Sequence, residues 1–223
     1  MHWQHASVFV ASMAPTRSSS DVTPDRGPIE SLARLREMFE KFPGIGPRSA
    51  ERLAFHLLRE PRDFASSLSR AILDVKDKVK HCSICFNLTE TDPCRICEDP
   101  QRDQTEVWVV EQPKDMLVLE ATGLIRGCYH VLMGHIAPLE GIEPENLTID
   151  ALVQRVGLGK IREVVLAMNP TLDGDGTALH IQSVLKPLGV KVTRPARGLA
   201  VGSQIEYATV GMLDAAIRGR ASM

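Results

Sequence analysis

Cys82-Ser83-Ile84-Cys85 and Cys94-Arg95-Ile96-Cys97 stand as two CxxC pairs with eight residues between them. Two thiolates so spaced can grip one tetrahedral zinc ion from a tight turn, and a second pair closes a four-sulfur shell. With no coordination position left open, such a shell holds structure and does not catalyse. The expected cofactor is therefore a structural Zn2+ on Cys82, Cys85, Cys94 and Cys97. A redox dithiol and an iron–sulfur cluster are the alternatives, and neighbouring sequence supports neither. His81, Asp92 and Glu98 lie alongside but are not needed as ligands. The ligand loop is too short to bury a core, so the metal would supply its folding free energy.

Outward from this module the chain changes character. Residues 31–80 carry eleven Lys/Arg against seven Asp/Glu, whereas residues 81–223 carry thirteen against eighteen. A basic front on a chain of net charge −2 suits contact with phosphate through one part alone, and argues against a general nucleic-acid coat. The 223 residues, 43% hydrophobic and 24% charged, suit one or two globular domains plus a small module. No apolar run reaches the length of a membrane span. Five cysteines, four in metal spacing, suit a reducing cytosol; the fifth, Cys128, reads as a buried small hydrophobe.

Residues 1–28 are Ser/Thr/Pro-rich and lack the basic start of a secretory signal, so they read as a disordered tail. An upstream extension of the reading frame, with Met13 as a later start, would look the same. Ile29, Leu32, Leu35, Phe39 and Phe42 recur at helical steps and predict a helix over 29–41. A second helix starts at Pro47 and a third near Pro61, the latter with Phe64, Leu68, Ile72, Val75 and Val79 on one face. Beyond the cysteines, β-branched runs at 107–110, 129–133, 164–168 and 191–193 alternate with helices at 113–121, 148–157, 176–188 and 206–219. Such alternation predicts a mostly parallel sheet covered on both faces.

Phe42-Pro43-Gly44-Ile45-Gly46-Pro47-Arg48 joins the first two helices. Gly44 and Gly46 permit a tight turn and close approach of a ligand to the backbone, with Ile45 as the anchor. The amides opening the second helix would face a phosphate oxygen at its positive end. Arg48 and Arg52, one turn apart, add side-chain contacts on one face. The stretch resembles a helix-hairpin-helix DNA-binding motif; a plain Gly/Pro turn with two solvated arginines is the alternative.

In the α/β half, Glu111 ends the first strand, and Asn169-Pro170-Thr171-Leu172-Asp173-Gly174-Asp175 leaves a later one. Acids at the carboxyl ends of parallel strands resemble a Toprim domain, which pairs a glutamate with Mg2+-binding aspartates. Glu111 matches the glutamate. The leading acidic pair is replaced by Asn169 and Thr171, the arginine position holds Leu172, and Asp173 and Asp175 occupy the later pair. Mg2+ sites of this kind need carboxylates, so a competent phosphoryl-transfer centre is not expected. A residual ion site at Glu111, Asp173 and Asp175 and a solvated acidic turn both stay open.

A helix-hairpin-helix, a four-cysteine module, a Toprim segment reading Asn-Pro-Thr and a late Gly198-Leu199-Ala200-Val201-Gly202 closely resemble, in that order, the RecR family of bacterial recombination proteins. The stretches Phe42–Leu58 and Tyr129-His130-Val131-Leu132 carry much of the likeness, which covers about residues 29–220. Departures are Asp173 and Asp175 in place of glutamates, and Gly176 in place of alanine. The resemblance implies a non-enzymatic mediator that binds single- and double-stranded DNA without sequence preference. It implies partnership with RecO and RecF, loading of RecA onto gapped single-stranded DNA, and a ring-like homotetramer with Arg48 and Arg52 lining its inner face. It also implies a bacterial cytoplasmic location, on the nucleoid when engaged.

The expected fold is α/β with an all-α front: tail 1–28, helix-hairpin-helix domain 29–80, zinc module 81–98, Toprim domain 104–200 and C-terminal segment with helix 201–223. Zinc is expected to orient the hairpin against the Toprim domain. A Mg2+-dependent Toprim nuclease or primase-like enzyme is the rival, and a scaffold that only recruits proteins is a third reading.

Overall fold

The computed structural model describes residues 29–220, so the tail expected over 1–28 lies outside the described residues. The chain divides into two units, with the boundary between Arg70 and Ala71.

The first unit holds α1 (Glu30–Glu40), α2 (Pro47–Arg59) and the start of α3 (Arg62–Lys78). Buried Ala50 and Ala54 are small enough to let α2 pack closely on α1. The turn between them is closed by the Phe42 and Ile45 amides, which donate to Phe39 O and Phe42 O at 3.1 Å each. Gly44, at φ +80°, takes the left-handed conformation that this turn requires. The apolar face expected on α3 forms but finds no full cover among the described residues: Phe64 is 46% exposed and Ile72 56%.

In the second unit, β1 (Lys80–His81) pairs with β2 (Leu88–Thr89), and α4 (Arg95–Glu98) follows. Next comes a four-stranded sheet of β3 (Asp103–Val110), β4 (Gly127–Val131), β5 (Glu163–Leu166) and β6 (Lys191–Thr193), ordered β4-β3-β5-β6 and parallel throughout. Helices α5 (Pro113–Ala121), α6 (Ile149–Gly157) and α7 (Leu172–Leu185) connect the strands, and α8 (Val210–Arg218) ends the fold. The strand period of two sends Val107 and Val109 to one core with Leu152, Val164, Ile181 and Leu185. Val110 goes to the other, with Met116, Tyr129 and Val131, where Phe86 and Ile96 of the cysteine module also pack.

Edge strand β4 is buried along its whole length. Its outward backbone groups have partners: Val131 N–H donates to Cys85 O at 2.8 Å, and Arg155 Nη1 donates to Tyr129 O at 2.7 Å. The cysteine module thus completes the sheet on that side. Phe86, held at φ +62°, lays its ring edgewise on His130 with centroids 5.4 Å apart.

His130 is fully buried, with Nε2 3.0 Å from Thr148 O and from Thr148 Oγ1. Because the Thr148 hydroxyl already donates to Val131 O, Nε2 carries the imidazole proton and donates to the carbonyl. Nδ1 is then a buried acceptor with no partner among the described residues. Charging it would bury an uncompensated cation, and burial accordingly lowers the pKa to about 4 from 6.5. Between these values the unfolded chain binds the extra proton, so stability is full above about pH 6.5 and falls as the pH drops toward 4. The loss is expected to reach roughly 3 kcal/mol. Urea titrations across that window should show a slope that His130→Leu flattens; an unchanged slope would assign the acid sensitivity elsewhere.

Several boundaries differ from the sequence expectation: β3 begins at Asp103 and β4 at Gly127, β5 spans Glu163–Leu166, and α7 ends at Leu185. α7 begins at Leu172 rather than 176, because Thr171 caps it by accepting from Gly174 N–H at 3.0 Å. β4 ends at Val131, since Met133 turns to φ +69°. The last helix starts at Val210 behind the Thr209 cap, after a single 3-10 turn at Ile205–Tyr207.

Candidate nucleic-acid interface and metal centre

The start of α2 is open. Gly46 is its N-cap and Pro47 its first residue, and no side chain caps the turn. The leading amides therefore stay available to an anion, reinforced by the helix dipole. Arg48 and Arg52 are both exposed, and neither forms an ion pair among the described residues. Ile45 is half-buried, as an anchor for the turn requires.

The four cysteines converge. Their sulfurs lie within 4.8 Å of one another, and Cys85 Sγ is 3.5 Å from Cys94 Sγ. Zinc–sulfur bonds of about 2.3 Å place tetrahedral sulfurs roughly 3.8 Å apart, so the set fits this ion with small adjustment. The knuckles are preformed by backbone bonds: Cys82 N–H to Asn87 O at 2.8 Å, Phe86 N–H to Cys82 O at 3.0 Å, and Cys94 N–H to Cys82 Sγ at 3.3 Å. The Cys85 thiol is pulled down to about 6, chiefly by a hydrogen bond from Cys97, while burial pushes Cys94 up to about 11. Donating to Cys85 likewise raises Cys97. Without a cation the sulfurs must share protons, and a divalent ion would let all four ionise. Asp92 is no ligand here: it accepts from Ser83 N–H at 2.8 Å, a bond that lowers its pKa and braces the first knuckle.

The acidic residues of the sheet do not gather in this way. Glu111, 4% exposed just beyond β3, accepts from Asn169 N–H at 2.7 Å and Asn169 Nδ2 at 2.9 Å, and lies 3.2 Å from His135 Nδ1. Asp175 pairs with Arg197, which donates from Nη1 to Oδ2 at 2.8 Å and brings Nη2 within 2.7 Å of Oδ1, and this hydrogen bond and charge hold its carboxyl below the usual range. Asp173 is exposed in the first turn of α7. Among the described residues, the cysteines are the one group of three or more His, Cys, Asp and Glu donors placed to share an ion. Asn169, neutral in the position where an acid would hold Mg2+, here serves as the donor that occupies Glu111.

His135 and Arg197 carry no signal in the sequence that would single them out. Each meets its acid across more than twenty residues, which no local pattern reveals. The His135 loop is pinned to α7 by Ile136 N–H, which donates to Thr177 Oγ1 at 2.9 Å. Gly174 is also required at this junction: a Cβ there would lie 2.2 Å from Asn169 O and 3.0 Å from Glu111 Oε1.

A helical hairpin with an open anion-binding start, a four-cysteine module and a parallel sheet with a filled acid centre define a Toprim-containing protein of the helix-hairpin-helix class. Family models agree part by part: the RecR helix-hairpin-helix matches residues 32–76, the RecR four-cysteine zinc finger domain 79–99 and the Toprim domain 105–196. Recombination protein RecR of Rhodopirellula baltica is 50% identical over 194 residues, covering 87% of this chain and 98% of its own length. The RecR proteins of Chloroflexus aggregans (53% over 189 residues, 85% of this chain and 92% of the relative) and Staphylococcus aureus (46% over 194, 87% and 98%) are similar throughout. The chain belongs to the RecR family.

Proposed function

We propose that this protein is a non-enzymatic, DNA-binding mediator of recombinational repair, gripping the DNA backbone without reading sequence. The observation that carries this is the uncapped start of α2 with exposed Arg48 and Arg52, which form no ion pair among the described residues, in a chain of the RecR family. Gly44 and Gly46 shape the turn, and the α2 amides and both arginines take the phosphates. Residues 29–80 are the DNA-binding part, 81–98 a zinc module with Zn2+ on Cys82, Cys85, Cys94 and Cys97, 104–200 the Toprim domain and 201–223 the C-terminal segment. Bound zinc clamps the two knuckles and takes no part in a reaction. The absence of catalysis is supported by Glu111, whose carboxylate is engaged by Asn169 and His135.

Family membership supports the further reading: action with RecO and RecF, loading of RecA onto gapped single-stranded DNA, and a ring-like homotetramer in the bacterial cytoplasm. The apolar face of α3, left without full cover among the described residues, supports assembly, since an exposed apolar patch of this kind suits a contact with a second chain. Among the described residues, no helix is long and apolar enough to cross a membrane.

Two arginines per chain bind weakly alone, and several chains on one DNA raise the effective affinity. The double variant Arg48→Ala/Arg52→Ala is expected to weaken binding by about ten- to a hundredfold for all sequences alike. Its log–log salt slope on duplex should fall by up to about 0.9 for each phosphate that is no longer neutralised. Fluorescence anisotropy at two salt concentrations measures both, and an unaltered double variant would remove the hairpin from the interface.

A further inference from the structure

At 100° per residue, Arg48, Arg52, Phe55 and Arg59 fall within about 60° of one another on α2. Buried Ala50 and Ala54, with half-buried Leu57, lie on the opposite side of the helix. Phe55 is 45% exposed and, from the outer face, cannot reach the core of its own unit. An aromatic ring has a plainer use, as cover for a neighbouring apolar side chain, and exposed Leu58 at i+3 is such a neighbour; on its other side the ring is flanked by Arg48, Arg52 and Arg59. The nearest acid on the helix, Glu51, sits at the stripe's border. Arg59 folds back over the preceding turn, its Nε donating to Phe55 O at 3.3 Å, and its terminal nitrogens have no partner among the described residues.

From Arg48 to Arg59 the stripe runs about 16 Å along the helix axis, the reach of several nucleotides. Its order is cation, cation, ring, cation. Duplex DNA offers such a row only phosphates, because its bases are stacked on one another. An unpaired strand offers phosphates to the arginines and a free base face to the ring, and base–aromatic stacking tolerates any sequence.

We propose that Phe55 is a stacking platform for an unpaired base and Arg59 a third phosphate contact, so that α2 favours single-stranded over duplex DNA. This rests on the DNA-binding reading of Arg48 and Arg52. The ring gives the helix a means of recognising a gap, where a duplex arm and an unpaired strand meet.

The test uses the full chain with oligothymidylate and a duplex of equal length at matched salt. Phe55→Leu is expected to weaken oligothymidylate binding by about five- to a hundredfold while leaving duplex affinity and its salt slope unchanged. Arg59→Ala should weaken both, lowering the slope by about 0.7 on the single strand and 0.9 on the duplex. In Phe55→Trp the new indole emission, measured against the wild-type background of Trp3 and Trp108, should be quenched by oligothymidylate and not by duplex. Unaltered single-strand binding by Phe55→Leu, with no quenching in Phe55→Trp, overturns stacking; if Arg48→Ala/Arg52→Ala still binds weakly, the backbone-gripping reading survives that result. If the arginine variant also binds normally, the underlying reading has failed. A shift in sedimentation with Phe55→Leu would assign the ring to a contact between subunits and overturn the proposal.

Discussion

Cys94→Ser is expected to release zinc and loosen edge strand β4 together with residues 82–97. Structural zinc in small modules binds with about 10–16 kcal/mol, and a segment this short has little else to hold it folded. Once the knuckle opens, Cys85 O leaves Val131 N–H, Phe86 leaves His130 and Ile96 leaves the second core. The sheet then faces water along a strand buried at every position. Hydrogen exchange at Gly127–Val131 should accelerate by orders of magnitude, with zinc content falling toward zero and the melting transition moving down. Loss of zinc with unchanged exchange there would mean that the module and the sheet are energetically separate.

Glu111→Ala is expected to destabilise the fold by about 1–3 kcal/mol for each donor left without its acceptor. Asn169 N–H and Nδ2 lose their acceptor together, and Gly174 holds α7 too near for the gap to close by a small shift. Glu111→Gln should cost less, since one carboxamide oxygen still accepts. Urea midpoints at constant m-value measure both, and DNA affinity should be untouched. If Mg2+ raised the melting temperature of the wild type but not of Glu111→Gln, the carboxylate would be a metal ligand and the closed-centre reading would fall.

Much of the fold is legible in the chain because its signals are local. Two periodicities, helical in the front and alternating in the back, place the helices and strands, and the CxxC spacing brings four sulfurs together. The start of α7 escapes a sequence reading because Gly174 and Gly176 look like loop, whereas Thr171 supplies a cap and Gly174 a close approach. The face of α3 is legible as a pattern, but periodicity cannot say whether its cover comes from the same chain. His135 on Glu111 and Arg197 on Asp175 are invisible to any short window, since topology alone brings them together. Asp175, a candidate ion ligand by sequence, is committed to Arg197.

The Glu111–Asn169 contact also bears on the protein's evolutionary past. Toprim enzymes keep an aspartate where Asn169 stands. Restoring it alone would press a second carboxylate against buried Glu111 at hydrogen-bond distance, where both cannot ionise. Among the described residues no arginine or lysine is placed to offset the repulsion, because Arg197 is held by Asp175 and Leu172 occupies the arginine position; His135, 3.2 Å from Glu111, is the one base at hand. Asn169→Asp, taken alone, is therefore expected to be uphill in stability, and an amide at this position resists return to a carboxylate like a ratchet.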